Sequence, residues 1–305
     1  MPTYLITGAT SGLGRQVANR LARLGGNHLV LPCRDASRGE QLRRELSVFG
    51  TTEVSVPTLD LASLASVAAF ITEFGKRNTM RLDGILLNAA EQSANAMQAT
   101  VDGIEATFAV NHLAHFLLLK GLTPFLASKP IVGWTASATH DPNERAAKMG
   151  GFRGAQYTTA ARLAKGDYGD TSVSQACKDA YATSKLCNIV MAHALGSTRP
   201  ELASFFSFDP GLMPGTGLAR RHGAAAQWVW RNVLPRLARI LPGASSTEKS
   251  SAILTDLLTG RLRGSHNGAY FNYTAKQLEP AAPAKERWVA DDLLATSAAL
   301  TTAYC

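Results

Sequence analysis

Cysteine is scarce. The four in 305 residues, Cys33, Cys177, Cys187 and Cys305, fall at no spacing that suits a metal site or a disulfide framework. That excludes a disulfide-stapled scaffold and a zinc ribbon, and the expectation is a reducing compartment, the cytoplasm. Long apolar runs are missing too: no window approaches the ~20 residues that span a bilayer. The apolar Tyr4-Leu-Ile6 run is too short for a signal peptide and leads straight into a glycine-rich segment. Repeats and low-complexity stretches are absent. Charge is present without being concentrated: 31 basic and 23 acidic side chains give a net +8, scattered along the chain. No basic stripe marks a nucleic-acid surface, and no nucleic-acid partner is expected.

What is present is apolar and periodic. With 46% hydrophobic residues the chain can bury a large core, and α/β chains of this length commonly form one domain, here expected over 1–305. Strand-like runs fall near 4–6, 28–33, 54–58, 84–88, 131–136, 204–208 and 268–273, with helical patterns between them. That alternation predicts a doubly wound parallel sheet of about seven strands, Rossmann-like, with helices on both faces. Further helices are expected around 247–258 and 283–300. Ligands of such sheets bind at the carboxyl ends of the strands.

The first run enters Thr7-Gly-Ala-Thr-Ser-Gly-Leu-Gly14, and Val17, Ala18, Leu21 and Leu24 then recur at helical spacing. A strand, a glycine turn and a helix N-terminus suit a diphosphate: glycines let the backbone approach, and free N–H groups face the anion. The bland alternative is a tight turn without a ligand. The second strand ends in Cys33 and Arg34, where an NAD enzyme offers an acidic residue to the ribose. A cation there suits a 2′-phosphate, although Asp35 follows and Arg34 also reads as a solvated surface residue. Tyr181 and Lys185, four apart in Asp179-Ala-Tyr-Ala-Thr-Ser-Lys-Leu-Cys-Asn188, share one face if that segment is helical. An ammonium beside a phenol favours phenolate, and the expectation is a Tyr181 acidity tuned toward the working pH for proton transfer.

Together with these segments, further motifs resemble those of the short-chain dehydrogenase/reductase family over nearly the whole chain. Thr7–Gly14 matches its cofactor loop, Asp60-Leu61 its adenine-contacting pair, and Asn88-Ala-Ala90 its Asn-Asn-Ala-Gly segment with Leu87 and Ala90 at the altered positions. Asn111, Ser137, Tyr181 and Lys185 match its catalytic tetrad, and Pro210-Gly-Leu-Met-Pro-Gly-Thr216 its Pro-Gly loop. His112–Leu119, Ser184-Lys-Leu-Cys-Asn188 and Thr216-Gly-Leu218 resemble the branch of retinol dehydrogenases and light-dependent protochlorophyllide oxidoreductases.

The resemblance implies NADPH or NADP as cofactor, with NAD less favoured. Gly8, Thr10, Ser11, Gly12, Leu13, Gly14, Arg34, Asp60, Leu61, Asn88, Ala89, Ala90, Tyr181, Lys185, Pro210, Gly211 and Thr216 would contact it. It implies that Ser137 bonds the substrate oxygen, Tyr181 delivers the proton, Lys185 assists both phenol and ribose, and Asn111 holds a water linking Lys185 to solvent. His140, Met213 and Trp228 are expected to face substrate; His112 and His115 are expected to pack or face solvent. The implied activity is reduction of a carbonyl on a fairly large apolar substrate. The alternatives are double-bond reduction of a pigment, as in protochlorophyllide reductases, and a nucleotide-sensing regulator without catalysis.

The interval from Ser137 to Tyr181 is much longer than in the simplest family members, which leaves an insertion at about 141–180. It reads either as a flap over the substrate or as a surface elaboration. Within it, 158–165 suggests a helix. Residues at about 212–245 form the expected substrate lid. Trp228, Trp230 and Leu234 interleaved with Arg231, Arg236 and Arg239 would roof a pocket or rest on a membrane surface. Bulk before Tyr181 bears on assembly, monomer or dimer, because family members often dimerise through that helix.

Overall fold

The computed structural model describes residues 1–76, 80–213 and 243–304. Seven parallel strands lie side by side: β1 (Thr3–Ile6), β2 (His28–Val30), β3 (Glu53–Ser55), β4 (Leu82–Leu87), β5 (Leu126–Thr135), β6 (Ser204–Asp209) and β7 (Ala269–Asn272). A two-residue β8 (Gln277–Leu278) pairs antiparallel with β7, and the sheet order is β3-β2-β1-β4-β5-β6-β7-β8. The predicted doubly wound sheet is therefore present, with one added strand too short and polar to show a period. The order reverses direction between β1 and β4, which opens a crevice at their carboxyl ends.

The strands pack on both faces, so their side chains alternate between two cores. Leu5, Ile85 and Leu87 face one, while Tyr4, Ile6 and Leu86 face the other. The second core is covered by α1 (Gly12–Leu24), α2 (Ala36–Ser47) and, later in the chain, α9 (Thr247–Leu258). The first is covered by α3 (Leu64–Gly75), the short α4 (Ala106–Phe108), α5 (Ala114–Leu122), the long α8 (Val173–Thr198) and the terminal α10 (Arg287–Thr301).

The segment at 141–180 contributes α6 (Arg145–Met149), α7 (Ala160–Ala164) and the first turns of α8, which Ser172 caps by accepting from Gln175 N. It is stitched down at two places. Asp179, nearly fully buried on α8, takes a two-point bond from Arg153 (2.6 and 3.1 Å) and a third from Gln175 (2.9 Å). Asp292 of α10 accepts from the Tyr157 hydroxyl and from Ala160 N, both at 2.7 Å. Residues 153–164 are thus fastened elaboration. Among the described residues no helix is long and apolar enough to cross a membrane.

Candidate active site at the carboxyl ends of the strands

The turn from β1 into α1 is built on positive φ at Gly8 (70°) and Gly12 (57°), a region that disfavours any side chain. A Cβ on Gly8 would lie 2.9 Å from Ala89 Cα, so the loop meets the end of β4 backbone to backbone. Ser11, the α1 N-cap residue, makes no side-chain cap bond, and the first turn carries no acidic residue. The helix N–H groups at Gly12 and Leu13 therefore face the crevice with the positive dipole end uncompensated, a fit for an anionic diphosphate.

One hydroxyl ties this loop to the catalytic side. Burial pushes His115 down to about 3, so its ring is neutral and carries one N–H. Nδ1 faces the carbonyl of Asn111 at 3.2 Å and must hold that hydrogen, which makes Nε2 an acceptor for the Thr7 hydroxyl at 3.0 Å. The two lone pairs of Thr7 Oγ1 then accept from Asn88 N (2.9 Å) and Ala89 N (3.0 Å). Asn88 completes the junction through Nδ2 to Thr7 O and by accepting from Thr135 Oγ1. His112 is equally buried, bonded to Ser297, so both histidines pack.

Asn111 sits in a π-helical turn, Ala109–Leu113, between α4 and α5. Its Oδ1 accepts from Glu91 N, and its amide hydrogens go to Glu91 O (3.0 Å) and Ser184 Oγ (2.9 Å). Ser184 in turn donates to Tyr181 O at 2.7 Å. One amide hydrogen thus goes to the loop after β4 and the other to α8, so Asn111 ties the two together.

Ser137 follows β5 and caps the 3-10 turn Ala138–His140, accepting from Thr139 N. Tyr181 and Lys185 reach the same place from α8, both at least nine-tenths buried. Lys185 donates to Thr135 O at 3.1 Å, and its Nζ lies 5.4 Å from the Tyr181 ring centre, over the ring. The expected acidification of the phenol is not found. Burial, and then the carboxylate of Asp209, raise Tyr181 above the ordinary phenol range, with a bond from Ser137 pulling back. Burial also pushes Lys185 down to about 7, which weakens the charge it brings. The four-residue spacing fixes proximity, while burial decides the sign.

These groups surround one cavity of about 960 Å³. Gly8, Thr10, Ser11, Gly12, Leu13 and Arg34 line its cofactor-loop end, and Asp60, Leu61, Asn88, Ala89 and Ala90 its β3–β4 side. Ser137, Tyr181, Lys185, Pro210, Gly211 and Met213 line the other end. Asp35 turns away: its carboxylate accepts from Ser37 N and Arg38 N as the α2 cap, leaving Arg34 as the charged wall residue there. Gly14 stands behind the loop and Asn111 behind α8. His140 does not line the cavity. Its Nδ1 bonds Ser137 O (2.8 Å), its Nε2 accepts from Ala281 N (3.3 Å), and its ring meets Tyr270 edge-on. Thr216 and Trp228, with most of the expected lid, lie outside the described residues.

Several wall residues were not among the expected ones. Glu144, Ala147 and Phe152 bring the start of the insertion against the cavity, with the Phe152 ring 6.1 Å from that of Tyr181. The 141–180 segment therefore divides: its beginning and Lys178 near its end line the cavity, and the stretch between is elaboration. Asp209 and Tyr273 complete the wall. Asp209 stands directly before the Pro210-Gly211 loop at a strand end, the one sequence signal that marked its place.

Comparison with known proteins agrees with this geometry. The profile described as short chain dehydrogenase matches residues 2–144. The chain is 33% identical to a Gallus gallus WW domain-containing oxidoreductase over 94% of its own length and 64% of that protein's. It is 32% identical to a protochlorophyllide reductase of Avena sativa over 88% of each, and 46% identical to human retinol dehydrogenase 14 over 41% of each. The chain thus spans less than two thirds of the first and third of these relatives. A solved short chain dehydrogenase from Burkholderia cenocepacia, in complex with NADP, has the same fold (TM-score 0.62, 20% identity, 89% of this chain and 95% of that one). On the strength of these likenesses the chain belongs to the short-chain dehydrogenase/reductase family of NAD(P)(H)-dependent oxidoreductases, in the branch that includes retinol dehydrogenases and protochlorophyllide reductases.

Proposed function

We propose that this chain, as a single domain, is an NADPH-dependent reductase of a carbonyl on a fairly large apolar molecule, with Tyr181 as proton donor. The observation that carries the reading is convergence: the Tyr181 phenol, its Ser137 partner and the Lys185 ammonium line the same cavity as the uncapped glycine loop. The glycine loop and α1 N-terminus would hold the diphosphate, Arg34 a 2′-phosphate, and Lys185 the nicotinamide ribose through the ammonium hydrogens that Thr135 O leaves free. Bound there, a reduced nicotinamide supplies a hydride to the carbonyl carbon. Ser137 donates to the substrate oxygen as negative charge builds on it. Tyr181 gives that oxygen its proton, and hydride plus proton turn the ketone or aldehyde into an alcohol. Met213, Phe152 and Ala147 supply apolar wall for the remainder of the substrate.

The identity to the oat protochlorophyllide reductase keeps pigment double-bond reduction as a second reading. Against it, Cys187, within the Ser184–Asn188 motif that resembles those enzymes, points from α8 into the core and does not line the cavity. The catalytic set also argues against a sensor, which has no use for a proton donor. We place the protein in the cytoplasm, in keeping with its free cysteines among the described residues. We read it as a monomer, because α8, buried on its successive faces by α10 and the insertion, offers little free surface for dimerisation. Light scattering tests that assembly. The functional test is NADPH consumption with ketones, aldehydes and protochlorophyllide, in dark and light. Tyr181→Phe should abolish turnover in the dark while NADPH still binds; pigment loss only under illumination would replace this reading with the second.

A further inference from the structure

We propose that Asp209 is a positioning residue of this site: its carboxylate clamps the loop that presents Ser137 and sets a buried negative charge beside the Tyr181 phenol, keeping the phenol in its proton-bearing form. The inference rests on the reading of Tyr181 as proton donor and goes on to say what controls it.

The geometry begins in the sheet. Phe208 pairs with Thr135, and Ala136 N donates to Phe208 O at 2.8 Å, so β5 and β6 run side by side up to the point where Ser137 and Asp209 emerge. The Asp209 carboxylate accepts from Gly211 N at 3.0 Å and from the N–H of Ala138, the residue after Ser137. One side chain thereby fastens the Ser137 turn to the Pro210-Gly211 loop. Asp209 is only 5% exposed, and that small opening is into the cavity shared with Ser137 and Tyr181. Among the described residues its partners are those two backbone groups and no cation.

A carboxylate desolvated without a counter-charge acts on whatever ionisable group shares its enclosure. Tyr181, Tyr270 and Tyr273 are all pushed up in part by Asp209. The other charged groups lining this end are Lys185 and Lys178 of α8 and Glu144 before α6, with Asp141 and neutral His140 behind the wall after β5. Glu144 adds to the negative side, and Lys185, at about 7, gives up its opposing charge as the pH rises above neutrality. The phenolate that alcohol oxidation requires is therefore held down, and the site is biased toward giving a proton away.

The test is a tyrosinate titration by ultraviolet absorbance on the full chain. Subtracting the trace of a Tyr181→Phe counterpart isolates Tyr181, in the native background and in Asp209→Asn. The expected result is a midpoint about 1 pH unit lower in Asp209→Asn, with Asp209→Glu returning it upward. The basic limb of dark ketone reduction should move by the same amount. Coincident midpoints in variants with native near-ultraviolet circular dichroism would overturn the inference and leave Asp209 a packing role. If Asp209→Asn does not fold, Asp209→Ser, which keeps an oxygen for one N–H, is judged by the same shift. A shifted titration in a protein with no measurable reduction would uphold the charge effect and sink the proton-donor reading instead.

Discussion

Gly14→Ala sets two physical effects against each other. Gly14 lies in the first turn of α1 with ordinary helical φ, so alanine should gain about 1 kcal/mol from helix propensity alone. The surroundings reverse the sign. A Cβ there would stand 2.6 Å from Asn88 Nδ2 and 2.7 Å from Gly8 O. The second neighbour is backbone, held by the turn, and cannot swing aside. Such overpacking costs about 1–3 kcal/mol, and displacing Asn88 from Thr7 O forfeits a hydrogen bond worth about 1 kcal/mol. The balance is a loss of about 1–3 kcal/mol, read as a lowered urea midpoint at unchanged slope. NADPH affinity, followed by fluorescence titration, should fall at least about tenfold as the loop is pushed off its geometry. Gly26→Ala is the control: φ is 63° there but no atom lies within 4 Å, so it should cost stability without touching affinity. An alanine at 14 that stabilises the fold and binds NADPH normally would refute the close-approach reasoning.

Arg34→Ala should cut the preference for NADPH over NADH by about 10–100-fold, the worth of one charge-assisted bond, with NADH binding unchanged; calorimetry with both nucleotides measures it. Lys185 carries a pH signature. Its folded value of about 7 lies below the ordinary lysine value, so between about 7 and 10 the unfolded chain holds a proton that the folded one lacks. Stability should therefore climb with pH across that window and flatten below it, and denaturant midpoints of Lys185→Met should lack the climb. Asp179→Ala removes three hydrogen bonds from a buried carboxylate, but Arg153 is half-exposed and can return to water. The expected loss is about 1–3 kcal/mol in urea, with limited proteolysis opening the insertion first.

Much of this was legible in the chain. β1 and the end of β4 are apolar runs, and β6 is marked by its three phenylalanines; strands covered on both faces need little else to be seen. The glycine loop was legible because positive φ and close approach admit few other residues. β8 was not: two residues carry no period. Asp209 was hidden because an aspartate before Pro-Gly is also an ordinary turn former, and only the sheet register puts it beside Ser137. The wall from Glu144 to Phe152 depends on contacts between segments far apart in sequence. Tyr181 departs from its expected acidity for a related reason. Spacing along a helix reports who the neighbours are, not how much water they keep, and dehydration outweighed the ammonium.

The hydroxyl at residue 7 has used everything it owns: one hydrogen to His115 and two lone pairs to the amides at 88 and 89. A replacement must offer one donor and two acceptors from a single atom at that reach, which among the twenty side chains only serine can do. Valine there would leave three partners unmatched at once, the buried His115 ring and two half-buried amides. The glycine loop and the helix turn that carries Asn111 are thus soldered at a single joint, and a fault at that joint would loosen both ends of the cavity.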